Sequence, residues 1–168
     1  MKSEELTYRS GTLKDIDQLV QLAIDSYGPY TTILSAEHAN ELTAILKDEN
    51  KIIPLLEKGK CFVCIHQGTI VGMAFLIPNG HPFEFYKTEW AQIRYIGVHP
   101  DYQGMGIAKK LTQMCITHAK DTGEKTIALH TSEYMDAARH IYETLGFKRE
   151  KELLPRFGKT FWLYLLHL

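Results

Sequence analysis

Cysteine is scarce: three residues among 168, an odd set that excludes a disulfide framework. Two of them, Cys61 and Cys64, spell C-x-x-C, but they sit in an apolar strand-like run. Positions three apart on a strand face opposite sides of the sheet, and no second pair completes a zinc site, so buried thiols are expected. Neither sign of charge is in excess, with 19 Lys and Arg against 20 Asp and Glu, so no global field recruits nucleic acid or an acidic membrane surface. No apolar run approaches a membrane span, and the N-terminus MKSEELTYRS lacks the apolar core of a signal peptide, which leads to the expectation of a cytoplasmic protein. The eight histidines show no paired ligand spacing, so no metal is expected. Repeats, low-complexity tracts and linkers are also missing. At 45% hydrophobic content this leaves one domain, residues 1–168, around a single core.

What is there is organised around Ile93 to Leu111, IRYIGVHPDYQGMGIAKKL. Ile93, Tyr95, Ile96 and Val98 form a strand that ends at His99-Pro100, because proline lacks an amide and fixes φ. Ile107, Leu111, Met114, Cys115 and His118 then share one helical face as far as Gly123, a left-handed stop. Between strand and helix lies Gln103-Gly104-Met105-Gly106-Ile107-Ala108. A helix N-terminus carries unpaired amides and partial positive charge, and glycines let a phosphate oxygen approach, so the segment is a candidate pyrophosphate cradle. An isolated G-x-G is as often a plain turn. The Walker pattern fails for want of Gly-Lys-Ser/Thr, and the dinucleotide pattern for want of a third glycine.

The chain opens with a strand at Leu6–Arg9 and a helix capped by Thr12, with Asp15 in its first turn and Leu13, Ile16, Leu19, Val20, Ala23 and Ile24 on its buried stripe. It stops near Tyr27-Gly28-Pro29-Tyr30, whose two tyrosines are either incidental to a turn or a wall of a binding pocket. A helix over Ala36–Lys47 and a weaker one over Ile52–Lys58, interrupted by Pro54, follow as a lid. Lys60–His66 and Thr69–Pro78 read as a hairpin turning at Gln67-Gly68. The aromatics of Asn79–Thr88 are expected to pack under the sheet edge rather than touch substrate. Thr126–His130 is a strand, Asp136 to Leu145 a helix stopped by Gly146, and Phe147–Leu153 and Thr160–His167 a closing strand pair. The apolar end FWLYLLHL suits a core strand or, equally, a homodimer interface.

The Gln/Arg-x-x-Gly-x-Gly/Ala pattern behind a strand ending Val-x-Pro resembles the GCN5-related N-acetyltransferase superfamily, with Gln103 for the commoner Arg and Ala108 for the commoner Gly. A second match supports it: Ala138-Arg139-His140-Ile141-Tyr142-Glu143-Thr144-Leu145-Gly146-Phe147 is similar to the family's Ala-x-x-(apolar)-Tyr-x-x-x-Gly-Phe signature. The resemblance runs end to end. Where the family often has Asn, three residues before Ala138, this chain has Met135. It implies an α/β fold: a mixed central sheet of about seven strands flanked by helices and splayed between the fourth and fifth, with a cleft where pantetheine amides bond like an added strand. It further implies acetyl-CoA as cosubstrate, held by Ile96, Gly97, Val98, Gln103, Gly104, Met105, Gly106, Ile107, Ala108, Lys109, Ala138, Arg139 and Tyr142.

Acetyl transfer to a primary amine of a small molecule or peptide needs a neutral amine, a stabilised carbonyl oxygen and a reprotonated thiolate. The backbone amide of Val98, beside an approachable Gly97, is the candidate for the carbonyl, and Tyr142, by family analogy, for the acid. The base is open. Gln92 stands where many members carry glutamate, which leaves Glu89, His130 or Glu133 acting through water. Tyr27 and Tyr30 are the candidate acceptor contacts. Two alternatives use the same loop: an acyl-CoA-sensing module without turnover, and a generic nucleotide phosphate binder.

Overall fold

The computed structural model describes residues 5–168. Its elements run β1 (Thr7–Ser10), α1 (Ile16–Tyr27), α2 (Ala36–Lys47), α3 (Ile53–Lys58), β2 (Lys60–His66), β3 (Thr69–Ile77), β4 (Ala91–Val98), α4 (Ile107–Asp121), β5 (Thr126–Ser132), α5 (Asp136–Thr144), β6 (Lys148–Glu152) and β7 (Phe161–His167). The seven strands form one sheet in the order β1-β2-β3-β4-β5-β7-β6, mixed as expected. The first strand starts one residue later than the sequence pattern gives, and residues 1–4 lie outside the described part.

Local signals set the elements. Thr12 closes a capping box with Asp15, whose carboxylate accepts from the Thr12 amide at 2.9 Å and from both Arg9 guanidinium nitrogens at 2.8 Å. That guanidinium holds the Asp15 carboxyl below the usual carboxylate range. Gln67 and Gly68 both take positive φ and turn the β2–β3 hairpin. Cys61 and Cys64 point to opposite faces, into different cores, and burial pushes the Cys61 thiol up to about 12. α4 and α5 cover one face of the sheet, α1 to α3 the other, and a third, aromatic core of Tyr86, Trp90, Phe161 and Leu163 lies beside β5 and β7.

The C-terminal pair is a hairpin whose second strand, β7, slots between β5 and β6. FWLYLLHL therefore serves an interior strand, with Leu163 and Tyr164 fully buried. The outer edge falls to β6, KREKE, exposed throughout and charged, as an edge strand must be to resist pairing with another chain.

Two irregularities make the site. β4 and β5 run parallel but pair only at Ala91↔Ile127 and Gln92↔Ala128, after which they diverge. β4 also bulges: two β3 steps, Met73 to Phe75, face three on β4, Gly97 to Arg94, and Tyr95 takes φ of 53°. The extra residue sets Arg94 and Tyr95 side by side on the wall facing α2.

Candidate active site

The splay opens a cleft between the C-terminal halves of β4 and β5. On its α4 side lies a cavity of about 390 Å³, lined by β4, the loop before α4 and the inner face of α5. Gly104 and Gly106 both take φ of 79°, a left-handed backbone that side chains resist, and the space a Cβ would enter at each is open. The first helical bond of α4 is from Lys110 N–H to the Gly106 carbonyl at 3.0 Å, so the amides of Ile107, Ala108 and Lys109 are unspent at a positive helix end. These free amides and open glycines fit a phosphate group, and the apolar walls of Ile96, Val98, Ala138 and Ile141 fit a thin acyl-bearing arm.

On the α2 side, a second cavity of about 390 Å³ carries Glu41, Lys51, Phe83, Glu84, Arg94, Tyr95, His130, Tyr134, Arg156 and Phe161 on its walls. A smaller space between them, a throat of about 110 Å³, shares lining residues with both. Tyr27 borders all three spaces, and Tyr30, Ile96, Ala138 and Tyr142 border both the first cavity and the throat. The Tyr27 hydroxyl donates to the Ile96 carbonyl at 2.6 Å, a tie across 69 residues that pins the end of α1 to the bulge. Tyr30 packs against Tyr134 with the rings tilted by 59° and their centroids 5.0 Å apart. The two tyrosines thus stand at the junction of the cavities.

Tyr142 is 8% exposed, and its hydroxyl has no hydrogen-bond partner among the described residues. Burial raises its pKa well above the usual phenol range, so it stays protonated. His130 Nδ1 and Tyr86 Oη share a 2.5 Å hydrogen bond. Burial first, then the Arg156 and Arg94 guanidinium groups, push His130 down to about 3. In the unfolded chain His130 titrates near ~6.5, so between that pH and 3 the unfolded state takes a proton the fold refuses, and stability falls as pH falls. At pH 5 the loss attributable to His130 is about 2 kcal/mol. Urea unfolding of wild type and His130→Gln at pH 7.5 and pH 5 measures it: the variant should lose that much less, and parallel losses would show that His130 is already charged in the fold.

Several sequence candidates land elsewhere. Glu89 is exposed in the turn before β4, more than ~20 Å of strand from Gly97, and lines none of the cavities; the cavity and the glycine loop lie at the other end of β4. Glu133 accepts from the Thr160 amide at 3.4 Å, outside the cleft. Gln92, 1% exposed, donates to the His81 carbonyl and is structural. Arg139 turns from the cleft to Asp136, the Glu133 carbonyl and the face of Trp162, because it lies about 100° round α5 from Ala138. Met105 is 54% exposed and does not line the first cavity. Gly97 has another reason than an approachable backbone: a Cβ there would meet Ser26 Oγ at 2.5 Å. Of the loop aromatics, Tyr86 packs as expected, whereas Phe83 reaches the second cavity.

Ser26, Arg94, Tyr95, Tyr102 and Arg156 line the cavities although no sequence motif assigns them to a site. Arg94 carries a usable signal, a lone charge within the apolar run of β4, and Tyr102, which hydrogen-bonds His66 at 2.7 Å, directly precedes the loop motif. The rest depend on the bulge and on the β6–β7 loop. Met135, in place of the family's Asn, lines the throat and takes a hydrogen bond on sulfur from Thr131.

A sheet splayed between parallel strands over a glycine-opened helix start defines an acyltransferase cleft. The chain belongs to the acetyltransferase (GNAT) family, whose model matches residues 16–147. It is similar to N-alpha-acetyltransferase 30 of Schizosaccharomyces pombe, 28% identical over 95% of each chain. With mycothiol acetyltransferase of Cellulomonas flavigena it shares 38% identity over 72 residues, 43% of this chain but 20% of that longer one. Among solved structures, the PaiA N-acetyltransferase of Thermoplasma acidophilum, in complex with coenzyme A, superposes with a TM-score of 0.75 over 95% of this chain and 98% of that one, at 16% identity. Acetyl-CoA is the family's acyl donor. Among the described residues, no cluster of three or more His, Cys, Asp or Glu could hold a metal ion, and no helix is long and apolar enough to cross a membrane.

Proposed function

We propose that this chain transfers the acetyl group of acetyl-CoA to a primary amine of a small molecule or peptide by direct attack. The observation that carries the reading is the throat: it shares walls with a cavity suited to the donor and with a separate cavity that carries charged and aromatic groups, and Ile96 of β4 and Tyr142 line both it and the first. Acetyl-CoA supplies an activated thioester. The loop amides at Gly104 to Lys109 hold its phosphates, Gln103 flanks them, and the diverged edge of β4 at Ile96 to Val98 takes the pantetheine. The amide of Val98 faces the developing oxyanion. Tyr142 gives its proton to the departing sulfur.

Of the three base candidates, His130 alone borders the throat. An alkyl amine of pKa near ~10 is neutral in roughly one molecule per thousand at pH 7, so positioning matters more than base strength. His130, held neutral, orients a water in the throat that carries the amine's proton out to solvent. Mixing the protein with acetyl-CoA and a panel of amines, and following free thiol, tests the reading. Amine-dependent thiol release that a chelator leaves unchanged is expected. Binding of acetyl-CoA without release would favour the sensing module, and preference for ATP over CoA a phosphate binder.

A further inference from the structure

The second cavity holds three cations and two carboxylates, and their pairing is uneven. Arg156 donates to Glu84 at 2.7 Å, Glu41 lies 3.4 Å from His38 Nδ1, and Lys51 is exposed at the rim. Arg94 differs: it projects from the bulged centre of β4, borders both cavity and throat, and forms neither a hydrogen bond nor an ion pair among the described residues. Its guanidinium rests on aromatic faces instead, 4.7 Å from the Phe83 ring centroid and 5.9 Å from that of Tyr86. A half-buried cation costs desolvation that ring faces offset only in part, while its planar fork is shaped for a carboxylate.

Resting on the acetyl-transfer reading, we propose that the acceptor is an amine that also bears a carboxylate, and that Arg94 is the residue that selects it. A single unpaired guanidinium matches one negative charge, which favours a carboxylate over a phosphate dianion. The carboxylate on Arg94 sets the amine toward the throat, where Tyr27, Tyr30 and His130 gather, and the walls of Tyr95, Tyr134, Phe157 and Phe161 accommodate an apolar substituent. Neutralising Arg94 also removes one of the two positive charges beside His130, which helps that imidazole take up a proton.

Thiol release from acetyl-CoA is measured with L-amino acids, their carboxamides, the corresponding decarboxylated amines, 2-aminoethyl phosphate and short peptides. The best acid should exceed its own carboxamide at least tenfold in kcat/KM. The amide's amine is the less basic and therefore more often neutral, so protonation works against that result. Arg94→Gln should raise KM for the acid tenfold or more, leave that for the carboxamide within about twofold, and abolish the thermal shift the acid produces in the CoA-bound protein; Arg94→Lys should recover part of each. Turnover of carboxamides or decarboxylated amines as good as that of the acids overturns the proposal, as does discrimination that survives in Arg94→Gln. Preference for 2-aminoethyl phosphate overturns its carboxylate part. If CoA binds but none of these amines releases thiol, the acetyl-transfer reading fails first. The comparison of acid with carboxamide uses wild-type protein and stands even if the variants do not fold.

Discussion

Replacing Tyr142 by Phe should lower kcat by roughly 10²-fold while acetyl-CoA affinity hardly changes. The ring packs 6.0 Å from Phe147 and closes one wall of the cleft, and Phe keeps that ring and its contacts. Only the hydroxyl is lost, and it has no partner among the described residues, so stability should stay within about 1 kcal/mol. General acid catalysis typically contributes ~10²–10⁴-fold; a thiolate, with conjugate pKa near ~8.5, is already a tolerable leaving group, which puts the effect at the low end. Steady-state rates and calorimetric binding on the same preparation decide it. Full activity in a folded Tyr142→Phe protein would make the residue structural and move the acid to water or to Tyr134, which borders the throat's neighbouring cavity and whose hydroxyl burial pushes up to about 12.

Gly106→Val should weaken acetyl-CoA binding at least tenfold, or about 1.4 kcal/mol, with the acceptor KM little altered. At φ of 79°, a β-branched side chain either distorts the loop or projects into the space in front of the α4 amides. Equal affinity in a folded Gly106→Val protein would move the phosphates elsewhere.

Positions whose chemistry is local were legible in advance. Thr12 and Asp15 form their cap from four consecutive residues, Gln67-Gly68 turns a hairpin, and Gly104 and Gly106 take left-handed backbone in a loop whose spacing alone proposed a phosphate cradle. Two site candidates do not line the cleft, for reasons of geometry. Arg139 follows Ala138 by one residue and cannot share its helix face, and Glu89 precedes a strand whose far end forms the site.

The sequence by itself determined the element order, the loop, the buried fate of the cysteines and the family, because these rest on periodicity, backbone preference and short motifs. The tertiary structure alone decided that β7 lies inside the sheet, that β4 parts from β5 after Gln92, and that a bulge at Tyr95 turns Arg94 onto the second cavity's wall. Strand order, splay and bulge are settled by pairing between segments tens of residues apart, where the gain comes from how whole faces pack, and no local window contains that information.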